Sequence, residues 1–248
     1  MDASIQEFKI TRDRFESWAK EVFRTDKTPS VRTLAATGLI PKSTVAKQLK
    51  SNEIDPKFIL VIARNLDYSP KQELAKFSGY EILNTPLREP TLEEKLVLTS
   101  LPALLTEILI RLQWNPQIQK TDYPQEPQIW QNWFRLVAPE VTLADCQNAL
   151  GLSAATISRN HNRGTWGIAP ILAMAKSFSL DPNMALIAAG YLEPYEAGYS
   201  LTFREDALKA ATDEQLRTQL VRIAPHLDDL IQNHNEHLYR KKNATELG

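Results

Sequence analysis

The sequence predicts an all-α fold, on the evidence of its composition and of the spacing of its apolar residues. Apolar residues make up 43% of the 248 residues, which excludes wholesale disorder and is enough for two cores of roughly 120 residues each. The chain has eight glycines and no sustained alternation of apolar and polar residues, the pattern that indicates strands. We therefore expect helices throughout and no sheet.

The chain also contains an internal duplication. Each copy opens with a predicted helix whose apolar residues recur at a spacing of three and then four, as on one buried helix face. These residues are Phe15, Trp18 and Val22 in the first copy, and Trp130, Trp133 and Val137 in the second. Later matches keep an offset of 112 residues as far as Pro70 and Pro182. Two similar folded units are therefore expected, rather than a solenoid of many short repeats.

The middle of each copy is predicted to form two short helices joined by a turn. The first of these helices runs from about Val31 to Thr37 in the first copy and from Leu143 to Ala149 in the second. In the second copy Gly151 provides a turn, and the hydroxyl of Ser153 can cap the helix that follows. Within that following helix, the β-branched residues Val45 and Ile157 occupy equivalent positions and are expected to be buried.

The segments Gly151-Leu152-Ser153, Thr156-Ile157-Ser158-Arg159 and Arg163-Gly164 resemble the lambda-repressor-like (Cro and XRE-type) DNA-binding family. The resemblance implies a helix-turn-helix whose second helix enters the major groove of double-stranded DNA. The tandem arrangement resembles the immunity repressors of temperate phages that infect actinobacteria. The chain departs from the residue pattern of that family at two positions. Gln147 stands where the pattern has a small alanine, and Gly38 lies one position early in the turn of the first copy.

The fold prediction is therefore two tandem lambda-repressor-like helix-turn-helix modules, each with a helical extension. The first module is predicted to span 1–113, a Pro/Gln-rich linker 114–128, and the second module 129–248. In the extensions, Leu87-Arg88-Glu89 resembles Phe203-Arg204-Glu205. A second match, in residue type and spacing, pairs Leu105, Leu109, Arg111 and Leu112 with Leu216, Leu220, Arg222 and Ile223. We expect each extension to pack on its own module, although the wide leucine band of the first extension could instead pair modules or chains, which leaves self-association open.

The outer face of each second helix supplies the candidate DNA contacts. Arginine and lysine can donate to guanine, glutamine can bridge adenine, and small apolar groups can touch a thymine methyl. The side chains expected to face base edges are Lys42, Ser43, Lys47 and Gln48 in the first copy, and Ala154, Ala155, Ser158, Arg159 and His161 in the second. Those expected near phosphates are Thr44, Lys50, Lys57, Thr156 and Arg163, and Ser153 at the start of the second helix completes the set. Each face could also be no more than a solvated polar surface.

Charge is distributed unevenly along a nearly neutral chain. The net charge is −1 and the sequence pI is about 6.5, but residues 11–64 contain eleven Lys or Arg against six Asp or Glu. A polarised protein with one basic surface is expected. Because the two candidate reading faces differ in sequence, one chain would read two unlike half-sites.

Other functional classes have little support in the sequence. It contains no Gly-rich phosphate loop, metalloprotease motif or nucleophile elbow, so we expect neither an enzyme nor a cofactor. His234 and His237 would share a helix face, but that stretch is otherwise polar and we expect no metal. The single cysteine, Cys146, is expected to be a small core residue in a reducing compartment. No stretch approaches about 18 apolar residues, so we expect no membrane span.

The sequence thus predicts a sequence-specific, double-stranded DNA-binding transcriptional regulator, a repressor that reads an asymmetric bipartite operator. It is expected to be cytoplasmic, associated with the nucleoid or with the host cytoplasm if a phage encodes it. The alternative from a different class is an interaction scaffold, such as an antitoxin-like partner or a replication adaptor built on helix-turn-helix folds. Near-zero net charge favours the scaffold, whereas the paired basic helices favour DNA.

Overall fold

The computed structural model describes residues 5–114 and 128–226, and both ranges are dominated by helices. The α-helices of these ranges are α1 Arg12–Val22, α2 Val31–Thr37, α3 Lys42–Ser51, α4 Pro56–Asn65, α5 Pro70–Leu74, α6 Leu92–Val97, α7 Leu101–Arg111, α8 Gln128–Val137, α9 Leu143–Leu150, α10 Ala154–Arg163, α11 Ile168–Ser177, α12 Pro182–Ala188, α13 Pro194–Ala197, α14 Phe203–Ala210 and α15 Asp213–Ile223. Short 3-10 helices cover Ile5–Phe8, Tyr80–Asn84 and Ala224–His226. No strand forms in the described ranges, where one isolated antiparallel bridge pairs Ile10 with Ile54. The predicted all-α fold is confirmed.

The duplication seen in the sequence is also present in the helices. The helices α2, α3, α4 and α5 each begin 112 residues before α9, α10, α11 and α12. Both α3 and α10 are ten residues long, as are α4 and α11. No helix in the described ranges is long and apolar enough to cross a membrane.

An aromatic core beneath α1 organises the first copy. Phe15 stacks on Phe58 of α4 with ring centroids 5.4 Å apart, and Trp18 packs against Phe77 at 5.9 Å. The indole nitrogen of Trp18 donates a 2.8 Å hydrogen bond to the buried carboxylate of Glu73 in α5. Without this bond the indole N–H of Trp18 would be buried without a partner, so the bond holds α1 against α5, while the Glu73 carboxylate also pairs with Lys76.

The described residues form two compact units, and each unit takes helices from both copies. The first unit comprises the residues up to Arg88 together with Glu140–Tyr199, so it contains α1 to α5 and α9 to α13. The second unit comprises Glu89–Pro139 together with the residues from Ser200 onward, so it contains α6 to α8, α14 and α15.

These units differ from the boundaries 1–113, 114–128 and 129–248 that were predicted from the sequence. The predicted boundaries follow the repeat along the chain, whereas the compact units cut across it. At the start of the predicted linker, the side chain of Trp114 is 69% exposed. Residues 115–127 lie outside the described ranges.

In the second unit, the extension helices of the two copies pack on each other. Helix α6 contacts α14, and α7 contacts α15. The core that they share consists of Leu96, Leu101, Leu104, Ala207, Leu208, Ala211, Leu216 and Ile223. This core corrects the expectation that each extension packs on its own module. The alternative holds instead: the leucine band of the first extension packs on the extension of the second copy. The physical reason is that a wide apolar band is buried best by a second apolar helix.

The residues that occupy equivalent places in the extension helices differ from the pairs matched in the sequence. The difference is one residue in α7 and five residues in α6. Because α7 and α15 begin 112 residues apart, Leu104 rather than Leu105 is the counterpart of Leu216. Leu104 and Leu216 are both buried, whereas Leu105 is 38% exposed. Two leucines stand side by side at 104 and 105, so apolar character alone does not distinguish the buried one.

The start of α6 shows the second shift. Thr91 caps α6 and Thr202 precedes α14, so Leu92 and not Leu87 is the counterpart of Phe203. The match between Leu87-Arg88-Glu89 and Phe203-Arg204-Glu205 is therefore wrong as a structural alignment.

Helix α8 has the predicted apolar face but lies in the second unit. Trp130 and Trp133 are buried, with ring centroids 5.6 Å apart, and the helix contacts α6. The sequence had placed this helix at the start of the second copy, as the counterpart of α1. In the structure α8 groups with the extension helices, and α9 to α13 belong to the first unit.

Candidate nucleic-acid interface

The candidate reading helices α3 and α10 are held in place by equivalent buried residues. Val45 and Ile157 are each 1% exposed, as the sequence predicts. Helix α3 contacts α2, and α10 contacts α9. One face of each helix is therefore anchored against the preceding helix, and the opposite face is left to solvent.

The two helices begin with different caps. In the second copy, the Ser153 hydroxyl accepts a 3.3 Å hydrogen bond from the backbone N–H of Thr156 and lies 3.0 Å from its hydroxyl. The predicted cap is confirmed. In the first copy Pro41 occupies the capping position without a side-chain cap. The hydroxyl of Thr156 thus already has a partner, whereas Thr44 is exposed and its hydroxyl forms no hydrogen bond with another described residue.

The turn before each helix has the same backbone shape, despite the early glycine of the first copy. Gly151 has φ +63°, and the equivalent residue 112 positions earlier, Leu39, has φ +48°. Gly38 has an ordinary φ of −80°, and a Cβ there would approach the Phe58 ring to 2.7 Å. The glycine at 38 therefore allows close packing, while Leu39 takes the left-handed conformation that glycine adopts in the second copy.

Neither reading helix contains an acidic residue, and both expose cations. The exposed cations are Lys42, Lys47 and Lys50 on α3, and Arg159 and Arg163 on α10. Within residues 5–114 and 128–226, none of the five forms an ion pair or a side-chain hydrogen bond. Unpaired cations on a helix that contains no acidic residue raise the local positive potential, which attracts a polyanion.

Some other cations of the same unit form ion pairs. Arg64 binds Glu196, Lys76 binds Glu21 and Glu73, and Lys176 binds Glu7. The cations of α3 and α10 take no part in these ion pairs between elements of the unit.

Some of the predicted base-facing side chains are only partly available. The amide oxygen of Gln48 accepts a 3.2 Å hydrogen bond from the backbone N–H of Asp55, and the side chain is half-buried. His161 is also half-buried and has an interaction of its own. The remaining predicted base-facing residues are exposed: Lys42, Ser43, Lys47, Ala154, Ala155, Ser158 and Arg159.

The structure adds Arg32 as a candidate that the sequence reasoning did not single out. Arg32 lies on α2, which contacts α3, and it is exposed without an ion pair among the described residues. Lys57, near the start of α4, is exposed in the same way. A lone arginine on a polar helix face gives no distinctive signal in a sequence, so only its position beside α3 draws attention to it.

The helix that precedes α10 is held by a capping box and a buried cysteine. The hydroxyl and the backbone N–H of Thr142 both donate to the Asp145 carboxylate, and these hydrogen bonds lower its pKa. Cys146 is 3% exposed, and burial raises the pKa of its thiol to about 11. The prediction that Cys146 is a core residue is confirmed.

No group of three or more His, Cys, Asp or Glu that could hold a metal ion occurs in the part of the chain that the structure describes. His234 and His237, the pair considered from the sequence, lie outside that part. Comparisons with protein family models, curated proteins and solved structures find no match to this chain. Its function is therefore inferred from the geometry of the candidate interface.

Proposed function

We propose that the protein is a sequence-specific, double-stranded DNA-binding regulator of transcription. In this proposal it acts as a repressor that blocks a promoter by occupying a bipartite operator. The observation that carries the proposal is the pair of exposed, acid-free helices α3 and α10, which occupy equivalent places in one compact unit. The mechanism includes no catalytic step and no cofactor.

The size and charge of the two helices suit the major groove. The groove is about 12 Å wide and admits one α-helix with its side chains. Each helix has a buried β-branched anchor on one side and unpaired cations on the other. Phosphates can replace the missing acidic partners of these cations, and counterion release then contributes to the free energy of binding.

The two outer faces would read different sequences. Equivalent positions of the two helices carry different side chains: α3 has Lys42, Ser43 and Lys47 where α10 has Ala154, Ala155 and Arg159. Two lysines and a hydroxyl favour polar base edges, whereas two alanines can contact thymine methyl groups beside an arginine that can bind guanine. One chain would therefore bind an operator whose halves are unlike.

The test is selection from a random duplex pool with the full-length protein, followed by sequencing of the bound fraction. The expected result is an enriched motif with two unlike blocks. Binding to that motif should weaken by about three to five powers of ten between roughly 50 and 200 mM salt, if six to ten phosphates are neutralised.

Matched variants make the test specific. Lys47→Ala and Arg159→Ala should each change the enriched sequence in a different block. Arg217→Ala is the control, because Arg217 is an exposed arginine of the second unit and is paired with Glu214. Enrichment of no sequence would overturn the proposal and favour the interaction scaffold.

A further inference from the structure

The two copies in the first unit make reciprocal contacts. Helix α5 contacts α13, and its counterpart α12 contacts the 3-10 helix Tyr80–Asn84, which is the counterpart of α13. Helix α4 contacts α11, its own counterpart. When equivalent elements exchange contacts in this way, the two copies are related by an approximate two-fold axis, as in an isologous dimer. A simple translation from one copy to the next would produce only one contact of the reciprocal pair.

Cations at equivalent positions of α4 and α11 each reach the other copy, although their acidic partners are not equivalent residues. Arg64 of α4 reaches the second copy, where it binds Glu196 at 2.5 and 2.7 Å. Its equivalent 112 residues later, Lys176 of α11, reaches the first copy and binds Glu7 at 2.5 Å. The Glu196 side chain is 4% exposed and that of Arg64 is 36% exposed, so the pair is partly shielded from water. These contacts fix the two copies to each other within the unit.

The end of the reading helix α3 lies close to the place where α4 and α11 meet. One cavity of about 330 Å³ is lined by Gln48 and Ser51 at the end of α3, by Pro56 at the start of α4, and by Ala169 at the start of α11. Helix α11 follows α10 after a connection of four residues, 164–167. Under the two-fold relation inferred above, equivalent residues lie at the same level along the axis, so the end of α10 is expected at the same level as the end of α3.

We propose that the operator has its two unlike half-sites in inverted orientation, at one fixed separation. This inference rests on the proposed function and adds the arrangement of the DNA site to it. A two-fold axis in the protein aligns with a local two-fold axis of duplex DNA, and this alignment inverts one half-site relative to the other. Rigid packing of the copies fixes the separation, for which one helical turn of about 10 base pairs is the simplest value.

The order of the copies along the chain suggests a different arrangement. Copies joined head to tail by a flexible linker would act as tethered binders, which tolerate direct repeats and changes in spacing. Two similar blocks in one orientation would suit such a protein. The packing within the first unit therefore decides the orientation.

Because the half-sites are unlike, their relative orientation is not visible in the wild-type motif. A graft makes it visible: Ala154→Lys, Ala155→Ser, Ser158→Ala and Arg159→Lys place the outer residues of α3 on α10 at equivalent positions. These four positions are exposed, so the graft leaves the core unchanged. Selection with the graft variant should enrich two identical blocks arranged as an inverted repeat. The reciprocal graft on α3, with Lys42→Ala, Ser43→Ala, Ala46→Ser and Lys47→Arg, should do the same with the other block.

Insertions in the duplex selected by the wild-type protein test the fixed separation without altering the protein. Insertion of about 5 base pairs between the blocks rotates one block to the far side of the duplex, and insertion of about 10 restores its face but increases the distance. Both insertions should lower the affinity by about a hundredfold or more, to that of one block alone. This measurement decides the question if a graft variant does not fold.

The outcomes separate the inference from the function on which it rests. Identical blocks in direct repeat, or full affinity after the 10-base-pair insertion, would overturn the inverted arrangement and leave DNA binding intact. A single enriched block would also overturn it. Failure of the wild-type protein to enrich any duplex would overturn the proposed function, and the inference with it.

Discussion

Replacing Leu39 with glycine is expected to stabilise the protein, although leucine is the more hydrophobic residue. Leu39 has φ +48° in the turn before α3, and its side chain is 82% exposed. A non-glycine residue in the left-handed conformation costs about 1–2 kcal/mol. Because the side chain is mostly in water, its removal loses little burial energy.

The magnitude follows from two opposing terms. Glycine removes the conformational strain of about 1–2 kcal/mol but adds about 0.5–1 kcal/mol of backbone entropy to be lost on folding. The net gain in the free energy of unfolding is about 0.75 kcal/mol from the midpoints of the two ranges, within limits of about 0 and 1.5 kcal/mol. In a chain of this size it corresponds to a rise in Tm of roughly 1–4 °C.

Thermal and urea unfolding of Leu39→Gly, followed by circular dichroism, measures this gain, with Leu39→Ala as the matched control. Alanine removes the exposed side chain but keeps a Cβ at positive φ, so its stability should stay close to that of the wild type. The reciprocal change Gly151→Ala should lose about 0.5–1 kcal/mol, because φ there is +63° and an added Cβ would meet no atom within 4 Å. If Leu39→Gly is no more stable than Leu39→Ala, the two turns do not share one backbone conformation and the reasoning is refuted.

Three further predictions concern α9 and α10. Arg159→Ala should weaken binding to the selected duplex by about 1–3 kcal/mol, roughly 5- to 150-fold in Kd, and weaken the base preference at one position of that duplex. An equal loss of affinity for every duplex would instead show that Arg159 contacts a phosphate. Cys146 should resist iodoacetamide at pH 8 until the protein is unfolded, since burial raises the pKa of its thiol to about 11. The free energy of unfolding should therefore fall as the pH rises above the ordinary thiol pKa. Rapid labelling of the folded protein would contradict the burial of this thiol. Asp145→Asn should lower Tm more at pH 7 than at pH 3. Hydrogen bonds from Thr142 lower the carboxyl pKa, and the stabilisation that they give is lost progressively as the pH falls from the ordinary carboxyl pKa through the lowered one. Equal effects at both pH values would exclude a role for the charge.

Local features of the candidate interface could be predicted from the sequence. The buried positions of Val45 and Ile157, the cap at Ser153 and the glycine turn at Gly151 all depend on residues within one or two helical turns. Helical periodicity and capping chemistry are local, so the sequence pattern is sufficient for them. The turn at Leu39 was harder to predict, because leucine rarely takes a left-handed conformation and only the duplication points to it.

Long-range packing explains what the sequence did not predict. The leucine band of α7 shows that an apolar partner is needed, but not which helix supplies it. Leu104 and Leu105 are chemically the same, and only the packing against α15 distinguishes the buried residue from the exposed one. Helix α8 likewise has the apolar pattern of α1 but lies in the other compact unit.

The sequence by itself determined the helices, the duplication and the acid-free faces of α3 and α10, because these depend on residue type and on spacing along the chain. Only the tertiary structure decided which helices share a core and how the two copies face each other. The reciprocal contacts join residues more than a hundred positions apart, such as Arg64 and Glu196. A repeated sequence is compatible with several arrangements of its copies, and the apolar and charged groups that meet in the folded chain select one of them.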